Sequence, residues 1–303
     1  MATSSLTVAV TGATGLIGSA LVERLRGDGH TVRRVVRRDP APGDVTWDPA
    51  RGSIEAAALE GTDAVVHLAG AGIGDHRWTP EYKRELRDSR LLGTGLVART
   101  LAELERPPHT LVSASAIGIY GSSETETFDE SSPPGQGFLA ELCGEWEAAT
   151  GPAEAAGVRV THIRSGIVLS KQGGALRKQL PLYRLGLGGK LGSGRQWQSW
   201  VTIDDEVGAI VHLLRSDVRG PVNLTAPAPV TQAEFAHTLA RVLHRPAFLP
   251  VPRFAPKLLL GDELATNLLF TGQKVVPTVL SASGYTFEHP ELDGALRAVL
   301  GKR

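Results

Sequence analysis

A chain of 303 residues is long enough for one large domain or two small ones. Its 32 Lys and Arg balance 32 Asp and Glu, which argues against a nucleic-acid or acidic-surface partner, and a single cysteine excludes an intrachain disulfide and a cysteine-based metal cluster. The early apolar run LTVAV is too short for a signal segment and no run approaches the roughly 18 apolar residues of a membrane span; a cytoplasmic protein with no membrane partner is expected.

Residues 6–11, LTVAVT, predict a buried strand. The turn GATGLIGS follows, then a helix over ALVERLRGDGH, where Leu21 and Leu25 recur at helical spacing and Gly29 ends the run. TVRRVV, 31–36, predicts a second strand; 39–62 reads as loop with a short helical turn near IEAAALEG; DAVVHLAG, 63–70, reads as a strand ending in small residues. The span 79–104 predicts a long helix that tolerates Pro80 in its first turn. TLVSASAIGIYG, 110–121, is a strand running into a glycine-containing loop, a helix starts near Phe138, and VRVTHIRSGIVL, 158–169, is the next strand. Strands alternating with helices at this spacing imply an α/β fold with a parallel, doubly wound sheet of the Rossmann type.

After residue 170 the texture changes. GLGGKLGSGRQWQSW, 186–200, holds too much glycine for a regular element. VTIDDEVGAIVHLLR, 201–215, reads as a short strand and a helix opened by Asp204 or Asp205. GPVNLTA is a strand, and TQAEFAHTLARVL, 231–243, begins at a capping Thr with Glu234 three residues on. FLPVPRFAPKLLLGDELATNLL is helix-like but punctuated by prolines. The expected division is a sheet domain over 1–170, extended by about 199–226, and a smaller substrate-binding part from 171–198 and 227–303.

GATGLIG, 12–18, sits between a strand and a helix with glycines at every third position. Gly12 permits a tight turn, Gly15 lets backbone approach a pyrophosphate, and Gly18 lets the helix pack closely on the sheet, while the helix N-terminus offers N–H groups to an anion. Thr14, Leu16 and Ile17 belong to the same cradle. Enzymes that use NAD place an acid at the end of the second strand to accept from the ribose hydroxyl. Here that position holds Arg37, followed by Arg38; two cations suit a 2′-phosphate, so NADP(H) is the expected cofactor.

TGATGLIG, DAVVHLAG and VSASAIGIYG together resemble the extended short-chain dehydrogenase/reductases. WDP at 47–49, HLAGAGI, RWTPEYKRELRDSR, SASAIGIYG, GALRKQLPLYRLGLGGKLGSGRQWQSWVTIDD and the RP/VP segment at 245–252 are similar to one branch of it, the NAD-dependent epimerase/dehydratase-like proteins with a small C-terminal domain of unknown function. The resemblance implies a Rossmann domain with a smaller C-terminal part, an NADP(H)-like cofactor, and further cofactor contacts at Leu68, Ala69, Gly70, Ser113, Ala114, Gly166, Ile167 and Val168. In the superfamily a Ser polarises a carbonyl, a Tyr moves a proton and a Lys four residues later tunes that Tyr. Ser115 matches the Ser position with one extra residue before Tyr120, but Phe138 falls at the Tyr position and Leu142 at the Lys position. A phenyl ring exchanges no proton and a leucine depresses no pKa.

Ser115 and Tyr120 are therefore the expected catalytic residues. Glu141 and Glu145 share a helix face as either an acid/base pair or a solvated surface; Cys143 and Trp146 read as packing, His67 as a core histidine, and Arg90 as either a site residue or a surface one. No metal ligand set emerges from the nine histidines. Arg195, Trp197 and Trp200, in a glycine-flanked loop, are expected to line a substrate pocket for a small, anionic, ring-bearing molecule. A homodimer stays open. The leading reading is an NADP(H)-dependent oxidoreductase or epimerase with non-standard catalytic residues; the alternative is an NADP(H)-sensing binding protein that acts through a partner.

Overall fold

The structure, a computed structural model, describes residues 5–246 and 251–302; part of the RP/VP segment and the start of the proline-punctuated stretch lie outside the described residues. The first half alternates strand and helix. Its elements are β1 (Thr7–Thr11), α1 (Leu16–Gly27), β2 (Thr31–Val36), β3 (Val45–Asp48), β4 (Ser53–Ile54), β5 (Ala64–His67), α2 (Pro80–Glu103), β6 (Thr110–Ala116), β7 (Thr127–Phe128), α3 (Phe138–Ala148), α4 (Gly151–Ala155) and β8 (Arg159–Ser165). Short strands and amphipathic helices then mix: β9 (Ile167–Leu169), α5 (Gly174–Arg184), β10 (Trp197–Gln198), β11 (Trp200–Thr202), α6 (Ile203–Arg215), β12 (Gly220–Leu224), β13 (Val230–Thr231), α7 (Gln232–Leu243), α8 (Phe254–Leu260), α9 (Asp262–Ala265), β14 (Lys274–Val275), α10 (Thr278–Ala282) and α11 (Leu292–Leu300).

Eight strands form the main sheet in the order β12-β8-β6-β5-β1-β2-β3-β4, parallel throughout except for the antiparallel β3–β4 pair. This is the Rossmann-type doubly wound arrangement: successive strands step outward from β1 in one direction, then from β5 in the other. The reversal between β1 and β5 opens a crevice at the carboxyl ends of the strands, where ligands bind in sheets of this kind. The stretch 39–62, read as loop, supplies the edge strands β3 and β4, held by Val45 and Trp47 in the core.

Burial on both faces explains the near-continuous apolar runs of β1 and β5. One face packs Val8, Val10, Val66 and Val112 under α1 and α6; the other packs Ala9, Val65 and Leu111 under Val97 and Leu101 of α2. A third cluster joins Leu176, Leu180 and Tyr183 of α5 to Trp200, Phe235, Leu239 and Leu296. The cap of α6 corrects an expectation. Thr202 Oγ1, not Asp204 or Asp205, accepts from the Asp205 amide at 3.0 Å. The Asp205 carboxylate instead accepts from Tyr285 Oη and from the Glu288 and His289 amides, at 3.1, 2.8 and 3.0 Å, fixing the C-terminal segment to the sheet domain. At α7 the capping box is formed as read, by Thr231 and Glu234.

Candidate functional site

The crevice is closed from below by a few local contacts. Thr11 Oγ1 accepts from the Leu68 and Ala69 amides at 3.0 and 3.2 Å and lies 2.8 Å from His67 Nδ1. That clamp brings the end of β5 so close to Gly12 (φ +66°) that a Cβ there would sit 2.8 Å from the Leu68 carbonyl carbon. At Gly18 a Cβ would lie 2.2 Å from Gly12 O, so only glycine lets α1 seat on the turn. At Gly15 the only heavy atom within 4 Å of such a Cβ is Gly12 O, at 3.3 Å. Gly15 and Thr14 are exposed, with Leu16 and Ile17 half-buried beside them. Helix α1 has no side-chain cap and no acid in its first turn; its N–H groups and positive dipole end remain available to an anion.

Arg37 and Arg38 follow β2, both exposed, and no described carboxylate lies within ion-pair distance of either. Their neighbour Arg34 is the one that pairs, with Asp44 at 2.5 Å. Leu68 and Ala69 are half-buried and Gly70 is exposed at the β5 end; Ala114, Gly166, Ile167 and Val168 are half-buried at the ends of β6 and β8. Ser113 lies deeper. It is wholly buried with no partner for its hydroxyl. The alternation along β6 sends it toward α2, opposite His67 of β5, below the rim a cofactor would touch. His67 Nε2 is likewise buried and without a partner, and burial lowers the imidazole pKa to about 4, so the ring is neutral.

Arg90 lies beside Gly70 at the end of β5. It is 9% exposed, its Nη1 donates to the Leu86 carbonyl at 2.9 Å, and its guanidinium stacks 4.8 Å over the Trp146 ring. Its carbons and Nη1 come within about 4 Å of the place a Cβ on Gly70 would occupy, the nearest at 3.6 Å. Burial lowers its pKa, and no described carboxylate pairs with it. A desolvated cation at this strand end has the chemistry to pair with an anionic ligand group. The sequence left Arg90 undecided; its place at i+4 from the fully buried Leu86 was the available signal.

The two catalytic candidates, Ser115 and Tyr120, share one buried hydrogen-bond network. Ser115 is buried, and its Oγ donates to Glu147 Oε1 at 2.7 Å. Arg164, its neighbour across β8, closes a bidentate pair on Glu147, with Nε and Nη2 each at 2.8 Å, and donates from Nη1 to Tyr120 Oη at 2.8 Å. Tyr120 is 2% exposed, and its hydroxyl donates to Asn223 Oδ1 at 2.7 Å. Both hydroxyls are thus held in a buried network beneath α3 rather than presented to the crevice. Burial alone would raise the Glu147 carboxyl; the hydrogen bonds from Arg164 and Ser115 and the Arg164 charge hold it below its usual range. For Tyr120 burial prevails over Arg164 and the phenol is raised.

Phe138 and Leu142 lie in an apolar cluster with Trp78, Tyr82, Leu86 and Leu264, Phe138 meeting Trp78 edge-on with ring centroids 5.3 Å apart. Lys83 lies 5.0 Å over the Phe138 ring but is ion-paired to Glu263. Of the remaining α3 residues, Glu141 is exposed, Glu145 pairs with Arg87, and Cys143 is buried, with burial pushing its thiol up to about 12. That thiol is inert at neutral pH. Trp146 packs inside, its Nε1 donating to Thr94 Oγ1.

The tryptophan loop does not assemble the expected pocket. Trp200 is 0% exposed in the C-terminal cluster, its Nε1 donating to the Ala228 carbonyl at 3.2 Å. Trp197 is half-buried, donates to Glu124 O at 2.9 Å and lies under Lys274. Arg195 is exposed and pairs with Glu124 at 3.3 Å, so its charge is already answered. The strand pairing β9–β11 turns Trp200 inward because the third cluster needs its volume. Among the described residues no three His, Cys, Asp or Glu side chains are placed to hold a metal ion, and no helix is long and apolar enough to cross a membrane.

Comparison with known proteins matches residues 8–225 to the NAD dependent epimerase/dehydratase family and residues 251–299 to a domain of unknown function, DUF1731. The chain is 44% identical over 291 residues to the epimerase family protein Mb2239 of Mycobacterium bovis, covering 95% of this chain and 96% of that protein. It is 40% identical over 298 residues to the human epimerase family protein SDR39U1, covering 97% and 99%. A crystal structure of human SDR39U1 with NADPH superposes with a TM-score of 0.91 at 38% identity, over 98% of this chain and 99% of that one.

Proposed function

We propose, from the premise that the chain belongs to the NAD dependent epimerase/dehydratase family, that it is an NADP(H)-binding oxidoreductase or epimerase working without a Tyr-x-x-x-Lys pair. NADP(H), when bound, supplies hydride transfer to or from carbon. The protein's residues fit that group. The uncapped N-terminus of α1 and the exposed backbone at Gly15 suit a pyrophosphate, and Arg90 beside Gly70 adds a desolvated cation. Arg37 and Arg38, free of described carboxylates at the end of β2, suit a 2′-phosphate and leave a bare ribose hydroxyl without an acceptor. This last observation carries the choice of NADP(H) over NAD(H), and the NADPH held by the human relative supports it.

Proton movement falls to other groups. Phe138 and Leu142 exclude water from the wall where the superfamily's acid stands, and Ser115 and Tyr120 orient that wall by anchoring α3 to β6 and β8 through Glu147 and Arg164. The substrate is a small molecule whose body packs on this apolar wall. The same satisfied network favours a second reading, an NADP(H)-responsive binding protein acting through a partner. Titration of the protein with NADPH and NADH, followed by single-turnover oxidation of the bound NADPH with a panel of carbonyl compounds, tests both. Equal affinity for the two cofactors overturns the cofactor assignment; tight NADPH binding with no oxidation across the panel moves the protein to the second reading.

A further inference from the structure

Among the described residues seven large hydrophobic side chains are exposed, and six of them fall in two short stretches: Leu182, Leu185 and Leu187 at the end of α5, and Phe254, Leu258 and Leu259 on α8. Single exposed leucines are ordinary on a protein surface, whereas a group of six is not. The 184–192 segment is tied to Arg245 and to Val251, which lies three residues before Phe254. Arg245 Nε donates to the Arg184 carbonyl at 2.8 Å, the Val251 amide to the Lys190 carbonyl at 2.9 Å, and the Gly192 amide to the Val251 carbonyl at 3.3 Å. Phe254 and Leu258, one turn apart, share a face of α8.

Positive charge predominates along these stretches of sequence although the chain as a whole is neutral. Between Glu154 and Asp204 the sequence has eight Lys and Arg and no acid; between Glu234 and Asp262 it has four and none. Some of these cations are answered, Lys178 by Asp75 at 3.7 Å and Lys257 by Asp262 at 2.5 Å. Arg177, Arg184, Lys190, Arg245 and Arg253 are exposed, and no described carboxylate lies within ion-pair distance of any of them.

We infer that this face, formed by the end of α5 with the 185–192 segment and by α8, docks reversibly on an anionic lipid surface. Exposed leucines and a phenylalanine provide insertion into the acyl boundary, and unanswered Arg and Lys provide attraction to anionic headgroups, the two features of an interfacial rather than spanning element. A second copy of the chain is a poorer occupant, because a two-fold interface lays the patch on itself and sets Arg184, Lys190, Arg245 and Arg253 against like charge. A nucleic acid leaves the six hydrophobic side chains without a function. The inference revises the expectation of no membrane partner and concerns the surface, not a span.

The test is flotation of the full chain with phosphatidylcholine vesicles and with phosphatidylcholine vesicles containing phosphatidylglycerol, at low and high salt. Binding to the anionic vesicles alone, reversed by salt, is expected. Arg184→Glu with Lys190→Glu, and separately Phe254→Ser with Leu258→Ser, should each lower the bound fraction at least about tenfold. All four positions are exposed, so thermal unfolding and NADPH affinity should stay at the wild-type values. Absence of binding to the anionic vesicles, or binding that neither pair of substitutions weakens, overturns the inference. A concentration-dependent dimer in sedimentation that Phe254→Ser with Leu258→Ser dissolves overturns it in favour of a second copy.

Discussion

Glu206 gives the sharpest test of the described packing. Its side chain enters the sheet domain from the first turn of α6 and is wholly buried. Ser165 Oγ donates to Oε1 at 2.5 Å, and Oε2 has no partner. Burial raises the carboxyl from 4.5 to about 8, with the Ser165 hydrogen bond opposing. The folded protein therefore keeps a proton that the unfolded chain releases near 4.5, so stability is fully present below that pH and is lost as pH rises through about 8. At about 1.4 kcal/mol per pH unit, the loss has a ceiling of roughly 5 kcal/mol. Glu206→Gln keeps the shape and hydrogen-bonding capacity of the neutral acid but does not titrate. Urea denaturation of both proteins at about pH 5 and about pH 8.5 should show the variant within about 1 kcal/mol of wild type in acid and more stable by a few kcal/mol in base. His67, lowered to about 4, acts in the other direction, its stabilisation being lost as pH falls, and is common to both proteins, so it cancels in the difference. Equal pH slopes for the two proteins, or a variant weaker than wild type at the alkaline pH, would refute the buried, neutral Glu206.

Arg37→Asp should weaken NADPH binding about ten- to a hundredfold and leave NADH nearly unchanged, the loss of one charge-assisted phosphate contact; fluorescence titration with both cofactors checks it. Leu142→Lys, which on the proposed reading restores one residue of the superfamily pair, should destabilise by more than about 3 kcal/mol because the ammonium enters an apolar cluster; the exposed Leu185→Lys, measured alongside, should change the urea midpoint little. Glu147→Ala should cost about 3–5 kcal/mol by leaving Arg164 buried without its carboxylate, and a loss under about 1 kcal/mol on denaturation would show that the network does not anchor α3.

The cradle and the strands around it were legible because their signals are local. Gly12 and Gly18 are required by backbone atoms a few residues away or at the next strand end, and the apolar runs of β1 and β5 reflect burial on both sides. Helix α5 was not read, since Gly174 at its start and Pro181 inside it look like breakers; Leu176, Leu180 and Tyr183, packed on the Trp200 cluster, hold it in place. Trp200 was misread for the complementary reason, because a tryptophan beside glycines looks like a lid until β9 pairs with β11 and turns it inward. The partner of Ser115 was not legible: strand alternation sets its hydroxyl beside Arg164 and toward Glu147, on the side of the sheet away from Ser165 and Glu206, and Glu147 comes from another element. Arg90 could not be placed without knowing that α2 leans on Gly70.

The groups that reach the crevice are of two kinds. On the proposed reading, cations and an uncapped helix end stand where a dinucleotide's phosphates belong, and an apolar wall stands where the superfamily keeps its acid. The hydroxyls and the carboxylate that chemistry could have used, on Ser115, Tyr120 and Glu147, are bound to one another and to Arg164. Releasing any one of them leaves a charge or a hydroxyl unsatisfied in the interior, a desolvation cost of about 1–3 kcal/mol or more. On the reading proposed above, the protein keeps the superfamily's cofactor-binding half and has turned its proton-transfer half into structure, so any proton the reaction needs comes from the substrate itself or from a water admitted with it.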